Sequence, residues 1–211
     1  MNVDGMALSR IKRSAIREQC FITVPQDAFF LPQATLRFNL DPSGRMSRRT
    51  LRDALITVDM WTPVSGALLG ADPFDHPMSS LPSFSAGQMQ LLAMARAVVK
   101  RDALTGAGEY YDSDDPRRPV LLLDEATSSL DGATESKIYD VVHSEFTEKG
   151  HTVVIVAHRV GVLAERMQPG DHVAWIQDGR VIKVGNADDL RCHWATASPP
   201  RRSSLCCGPI L

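Results

Sequence analysis

Two acidic residues at the end of an apolar run are the groups in this sequence best suited to chemistry. Asp124 and Glu125 follow residues 120–123, four apolar residues in succession, which predict a parallel strand buried on both faces. Ligands of open α/β sheets bind at the carboxyl ends of strands, where one carboxylate can serve a metal ion while its neighbour deprotonates a water. The pair by itself is equally consistent with a strand that ends in solvated acids.

Two more polar side chains follow predicted strands. Residues 20–24 form a short β-rich run ended by Pro25, which places Gln26 at its carboxyl end. Residues 152–157 predict a second buried strand, and His158 follows it. Taken alone, Gln26 is typical of a polar loop and His158 of a packed or solvated histidine.

A helix with a distinctive start is predicted from Ser85 onward. Apolar residues recur at helical spacing after it, and Ser85 with Gln88 three residues later fits a capping box. A helix N-terminus with free N–H groups is also an anion site, and Gly87 would let a phosphate approach the backbone. Both interpretations use the same residues.

Other elements must position these groups. Helices are predicted over residues 47–58, with Ser47 as N-cap, and 133–146, with Gly150 as a stop signal. Residues 62–82 are expected to be irregular because proline and glycine recur there. Residues 172–176 and 181–184 predict a hairpin around Asp178-Gly179.

Composition narrows the class of protein. The 211 residues are 44% hydrophobic and 23% charged, which fits a globular domain with a sizeable core. The net charge of −2 gives no electrostatic footprint for nucleic acid. The four cysteines lack metal-ligand or disulfide spacing, which suits a reducing cytosol. The sequence has no apolar run long enough to span a membrane and no signal peptide, so any role at a membrane is expected to be indirect.

Several strings resemble the motifs of ABC-type ATPases. Val-Leu-Leu-Leu-Asp-Glu-Ala-Thr-Ser-Ser-Leu-Asp (120–131) resembles the Walker B segment and D-loop, and Phe-Ser-Ala-Gly-Gln (84–88) resembles the signature sequence. Ala-His-Arg (157–159) resembles the H-loop. Val-Pro-Gln-Asp (24–27), with Asn-Leu-Asp-Pro downstream (39–42), resembles the Q-loop region of subfamily C, the multidrug-resistance-protein group. The signature has Phe84 where leucine and Ala86 where glycine are commonest.

The resemblance implies a fold and a reaction. The expected fold is a P-loop-NTPase-like α/β domain with a parallel-sheet core and a helical subdomain, incomplete at its N-terminus. The expected reaction is ATP hydrolysis, with ATP and Mg²⁺ as cofactors. By this resemblance the catalytic residues are Glu125 as general base with His158 and Gln26, and the metal residues are Asp124 and Gln26.

Partners and location follow from the same resemblance. Ser85, Gly87, Gln88 and Asp131 would contact nucleotide across a head-to-tail dimer with a second nucleotide-binding domain. Transmembrane domains of a transporter would hold the chain at the cytoplasmic face of a membrane, the chain itself being soluble without a transmembrane segment. No nucleic acid is expected.

The domain prediction divides the chain in two. Residues 1–190 form the nucleotide-binding domain, with a helical subdomain over about 43–100 and a polar insertion over 103–118. Residues 191–211 form a disordered tail.

One motif that a P-loop ATPase needs does not occur in these residues. None of the 14 glycines is followed by lysine, so Gly-x-x-x-x-Gly-Lys-Ser/Thr, or Walker A, is missing. The expectation is a domain truncated before the Q-loop region and inactive alone. Two alternatives stay open: a non-catalytic interaction fragment that retains the signature face, and a soluble ABC ATPase of DNA repair or translation.

Overall fold

A mixed six-stranded sheet forms the centre of the molecule. The computed structural model describes residues 2–3, 6–7, 12–66, 70–106, 118–158, 161–189 and 204–207. A separate small hairpin contains β1 (Asn2–Val3) and β2 (Met6–Ala7). The sheet contains, in spatial order, β3 (Phe21–Val24), β4 (Val120–Asp124), β5 (Val153–Ala157), β8 (Ser204–Cys207), β6 (His172–Gln177) and β7 (Arg180–Asn186). Strands β3, β4 and β5 are parallel, and the other pairings are antiparallel.

α-Helices accompany the strands, and seven of them have both ends within the described residues. They are α1 (Arg13–Ala15), α2 (Leu36–Leu40), α3 (Arg48–Thr57), α4 (Trp61–Ser65), α5 (Ala86–Thr105), α6 (Gly132–Val142) and α7 (Gly161–Arg166). Short π-helical segments occur at Ile16–Cys20 and His143–Thr147, and 3₁₀ turns at Pro73–Asp75 and Met78–Ser80. None of the helices in these ranges is both long and apolar enough to cross a lipid bilayer.

Side-chain caps confirm the predicted helix starts. The Ser47 hydroxyl accepts a hydrogen bond from the backbone N–H of Thr50 at 3.1 Å, as an N-cap of α3 should. Gly150 has φ +75°, the left-handed conformation that ends the segment begun by α6. The predicted hairpin is β6–β7, and both turn residues, Asp178 and Gly179, have positive φ.

The prediction that the central strand is buried on both faces is wrong. Leu121 and Leu123 are at most 1% exposed, whereas Val120 and Leu122, which point to the other face, are only half-buried. The same alternation occurs in β3, where Ile22 and Val24 are buried. The long helix α5 packs against β3, so helices cover one face far better than the other. The apolar run predicts the strand correctly, but it does not indicate which of the two sheet faces other elements cover.

Strand β8 lies inside the sheet although it comes last in the chain. It pairs antiparallel with β5 on one side and with β6 on the other, and these two strands are joined through it. The tail 191–211 was expected to be disordered, and the part of it that is described is this strand. Ser-Leu-Cys-Cys is too short to show periodicity, and its pairing partners are distant in sequence.

The region expected to be irregular contains one short helix. α4 begins at Trp61 with Pro63 in its first turn, where proline removes no helical hydrogen bond. Trp61 packs against Phe74 at a centroid distance of 6.0 Å and lies under the Arg52 guanidinium. Tertiary packing therefore outweighs the local breakers. Most of the predicted insertion, residues 107–117, lies outside the described residues.

Candidate functional site

The backbone turns sharply at the acidic pair. Asp124 is the last residue of β4 and is exposed, while Glu125 has φ +49°. A glutamate rarely adopts this left-handed conformation, and such residues concentrate at functional sites. The Glu125 N–H still donates to the Val156 carbonyl at 2.9 Å, so the strand pairing with β5 holds the turn in place.

The end of β5 brings a histidine to this carboxylate. The Glu125 Oε1 lies 2.5 Å from the His158 Nε2, a short hydrogen bond between groups 33 residues apart in sequence. Both side chains are partly exposed, at 23% and 39%, so solvent reaches the pair. A carboxylate oriented by an imidazole can accept a proton from a water beside it, which is general-base chemistry.

Gln26 lies at the same edge of the sheet. Gln26 is exposed and lies two residues after Val24. Val24 pairs with Leu123, the residue that directly precedes Asp124. The carboxylate of Asp124 and the amide oxygen of Gln26 are oxygen donors of the kind that Mg²⁺ prefers. These residues fit one end of a magnesium–nucleotide complex. These 211 residues contain no P-loop sequence to cradle the phosphates.

The start of α5 forms the capping box that the sequence predicts. The Ser85 hydroxyl accepts from the Gln88 N–H at 3.2 Å, and the Gln88 Oε1 accepts from the Ser85 N–H at 3.0 Å. Gly87 lies against the side chain of Thr134. A Cβ at this position would be 3.2 Å from the Thr134 Cγ2, which is a tight contact. Glycine therefore permits the close approach of α5 to α6.

Asp131 caps α6 beside that contact. Its Oδ1 accepts from the N–H groups of Ala133 and Thr134 at 3.0 Å each, and its Oδ2 accepts from the Thr134 hydroxyl at 2.7 Å. The Thr134 backbone and side-chain hydrogen bonds, in that order, lower the pKa of Asp131 below its usual value, against a smaller opposing effect of desolvation. Thr134 thus joins Gly87 to Asp131.

Sequence reasoning missed the side chains that tie the segment after Gln26 to α5. Gln90 is 2% exposed, and its Nε2 donates to the Pro25 carbonyl at 2.8 Å. Arg96 donates from Nε to the Asn39 carbonyl at 2.7 Å and lies 4.1 Å above the Phe30 ring. Burial lowers the pKa of Arg96. The sequence pattern that could have indicated these contacts is the occurrence of two long polar residues, Gln90 and Arg96, among the apolar residues of α5.

The segment Asn-Leu-Asp-Pro has an evident structural use. Asn39 is 4% exposed; it accepts from the Leu31 N–H at 2.8 Å and donates to the Leu31 carbonyl at 3.0 Å. Asp41 is equally buried and accepts from the backbone N–H groups of Ser43 and Met46. Buried polar groups need such partners, so this motif fixes the loops on both sides of α2.

Comparisons with known proteins agree with the resemblance over most of the chain. It is 34% identical over 193 residues to the ABC-type transporter braE of Annulohypoxylon truncatum, across 88% of this chain and 12% of that protein. It is 32% identical to the ABC transporter FGM5 of Gibberella zeae, across 89% and 12% of the two chains. It is 28% identical to ATP-binding cassette sub-family C member 2 of Rattus norvegicus, across 89% and 10%. The chain thus spans about an eighth or less of the length of these relatives. No protein-family description matches it.

A solved structure has the same fold. The structure of a bacterial Atm1-family ABC exporter with ATP bound superposes with a TM-score of 0.64 at 22% identity, covering 92% of this chain and 30% of that chain. The α/β fold with a parallel-sheet core predicted from the sequence is thereby confirmed.

Proposed function

We propose that this chain is part of the nucleotide-binding domain of an ABC transporter and that the carboxyl ends of β4 and β5 serve ATP hydrolysis. The observation that carries the proposal is the contact between Glu125 and His158, 2.5 Å apart at neighbouring strand ends. The relatives at 28–34% identity are ABC transporters, which supports the transport context. The rat relative supports subfamily C.

Each residue at this edge has a distinct role in the proposal. Glu125 accepts a proton from the water that attacks the terminal phosphorus of ATP, and His158 orients the Glu125 carboxylate. Asp124 and Gln26 hold Mg²⁺ through oxygen atoms, directly or through water. Loss of the Glu125 carboxylate should slow hydrolysis strongly, because a positioned general base contributes about 10²–10⁴-fold.

The start of α5 acts on a second nucleotide-binding domain in the proposal. Ser85, Gly87 and Gln88 lie at the positive end of a 20-residue helix, which favours a phosphate held by the partner domain, and the backbone N–H of Gly87 is in its first turn. Asp131 lies beside them at the head-to-tail seam. Transmembrane domains of the same transporter are the other expected partners.

A chimera tests the proposal. The 211 residues are joined to a strand, P-loop and helix that carry Gly-x-x-x-x-Gly-Lys-Ser/Thr, and magnesium-dependent release of phosphate from ATP is measured. Hydrolysis is the expected result. The role of this sheet edge would be contradicted by a folded chimera that binds ATP but releases phosphate no faster than its Glu125→Gln variant.

A second candidate, a non-catalytic interaction fragment, is favoured by one observation. The capping box at the start of α5 forms within this chain. The P-loop motif does not occur in it, because no glycine is directly followed by a lysine. On this proposal the 211-residue chain shows no thermal shift with millimolar Mg-ATP but associates with an ATP-loaded nucleotide-binding domain. A ligand at 100 times its Kd would stabilise the fold by about 2.7 kcal/mol, so a magnesium-dependent shift would be easily seen and would contradict this candidate.

A further inference from the structure

Strand β8 interrupts a set of strands that share one direction. Because β8 pairs antiparallel with both β5 and β6, those two strands run in the same direction, which is also that of β3 and β4. The carboxyl ends of these four strands lie at one edge of the sheet, the edge that carries Glu125 and His158. The amino end of β8 lies there instead. Leu205 pairs with Ala157, the residue before His158, and Ser204 comes one position nearer that edge.

The position between β5 and β6 would also accept a parallel strand. Such a strand would end beside His158, at one strand spacing of about 4.8 Å from β5 and two spacings from β4. The loop after it would lie over the edge that is proposed to act on ATP. A P-loop joins a strand to a helix and cradles phosphates with its N–H groups. The P-loop sequence that these 211 residues lack therefore belongs after a strand of this direction.

The outer edge of β3 is the other position that would put such a loop two strand spacings from Glu125. Side chains of α5 engage carbonyl groups at both ends of β3. The Lys100 Nζ donates to the Phe21 carbonyl and the Gln90 Nε2 donates to the Pro25 carbonyl, at 2.8 Å each. A strand added outside β3 would compete with these hydrogen bonds, one of which comes from a side chain only 2% exposed. The position between β5 and β6 is therefore favoured.

One face of the sheet offers a place for the helix that follows a P-loop. Val120 and Leu122 of β4 and Val154 and Val156 of β5 are half-buried. Leu122 pairs with Val154, which places the four side chains on the same face. A half-covered apolar face of this kind is what a helix packs against. A strand, loop and helix that arrive together would occupy the position between β5 and β6 and cover this face.

A short ladder holds β8 in its position. The strand has four residues and pairs with residues 155–157 of the five-residue β5 and residues 173–176 of the six-residue β6. In the sequence it is flanked by Pro200 and Pro209, and proline has no N–H with which to extend a ladder. A strand that pairs along the whole of β5 would form more hydrogen bonds than β8 does, which favours exchange.

We propose that β8 is an exchangeable strand that closes the sheet between β5 and β6 and so excludes a P-loop strand, which binds in the same position once β8 withdraws. The incoming segment is an apolar strand followed by Gly-x-x-x-x-Gly-Lys-Ser/Thr, supplied by another part of the same transporter. This inference rests on the nucleotide-binding function proposed above. With β8 in place, the groups at the strand ends have no phosphate cradle and the site stays inactive.

A peptide tests the exchange without any nucleotide. The probe is a synthetic apolar strand followed by a P-loop sequence, and its control has the same composition in scrambled order. Hydrogen exchange of the backbone amides of the 211-residue chain is followed by NMR. The probe should bind saturably and remove the protection of amides 205–207, while amides 153–157 stay protected. No binding, binding that leaves β8 protected, or the same effect of the scrambled peptide would overturn the proposal. The role of Glu125 is not at stake here, because no ATP is present.

Leu205→Pro tests the same point from the protein side. It removes a ladder N–H from the interior of β8, so the peptide should bind about threefold to tenfold more tightly, the range for one lost hydrogen bond. Leu205→Val keeps the N–H and is the control. In the P-loop chimera, Leu205→Pro should raise the affinity for Mg-ATP by a similar factor, whatever the rate of hydrolysis. Equal peptide affinities of the two folded variants would refute exclusion by β8. If Leu205→Pro does not fold, hydrogen exchange on the unaltered chain decides.

Discussion

The end of β4 and the start of α5 are both proposed to act on nucleotide, but their side chains are held in place in opposite ways. Glu125 meets His158 across two strands, in a backbone conformation that glutamate rarely adopts. Ser85 and Gln88, three residues apart, satisfy each other within one turn. The first group exists only when β4 and β5 are paired, whereas the second is complete as soon as its helix forms. Substitutions should therefore separate chemistry at the strand ends from stability at the helix start.

The largest expected effect is on the strand-end group. In the P-loop chimera, Glu125→Gln should reduce phosphate release from ATP at least ~100-fold, the lower end of general-base contributions, and leave ATP binding nearly unchanged. Phosphate release and nucleotide binding are measured on the same protein. Glu165→Gln, at an exposed position of α7, is the control and should retain turnover. Near-normal turnover of Glu125→Gln would assign the base elsewhere.

Ser85→Ala should cost stability instead. Loss of a serine N-cap typically lowers the free energy of unfolding by about 1 kcal/mol, which urea denaturation detects. The His158 ring resonances should not move, because Ser85 hydrogen-bonds with Gln88 in its own turn, whereas His158 bonds to Glu125 at the strand ends. Ser144→Ala at an exposed position is the matched control. A change in the His158 resonances would mean that the two regions are coupled.

Gly87 and Thr134 allow the packing of α5 on α6 to be measured. Gly87→Ala places a methyl group 3.2 Å from the Thr134 Cγ2 and should destabilise by about 1 kcal/mol, the low end of overpacking costs. Thr134→Ser removes that methyl while keeping a hydroxyl for Asp131. The double variant should be more stable than the sum of the single effects predicts. Strict additivity in urea unfolding would show that the contact does not limit this position.

The smallest expected effect is the pH dependence from Asp131. Its folded pKa lies below the ordinary 3.8, so its contribution to stability is present above about pH 4 and is lost as pH falls through the folded pKa. Below about pH 4, the unaltered chain should therefore lose its stability advantage over Asp131→Asn, measured as the difference between their free energies of unfolding. Urea unfolding at successive pH values measures this difference. A constant difference would show that the α6 cap does not depend on the carboxylate charge.

The same contrast explains how much the sequence could predict. Helix starts at Ser47 and Ser85 and the β6–β7 turn follow from residues close in the chain, and each was predicted correctly. The apolar runs located β4 and β5 but not the weaker burial of one sheet face, because burial depends on elements elsewhere. The roles of Gln90 and Thr134 depend on contacts between separate elements, which no local pattern specifies.

The position of β8 has a consequence for how the protein is made. Ser204–Cys207 is the last of the six strands to leave the ribosome, yet it joins β5 to β6 near the middle of the sheet. β7 ends at Asn186, 18 residues earlier, which at 5–20 residues per second is a wait of about one to four seconds. During that interval two strand edges are unpaired, and exposed edges bind other chains. Translation speed over this stretch should therefore affect the yield of correctly folded protein.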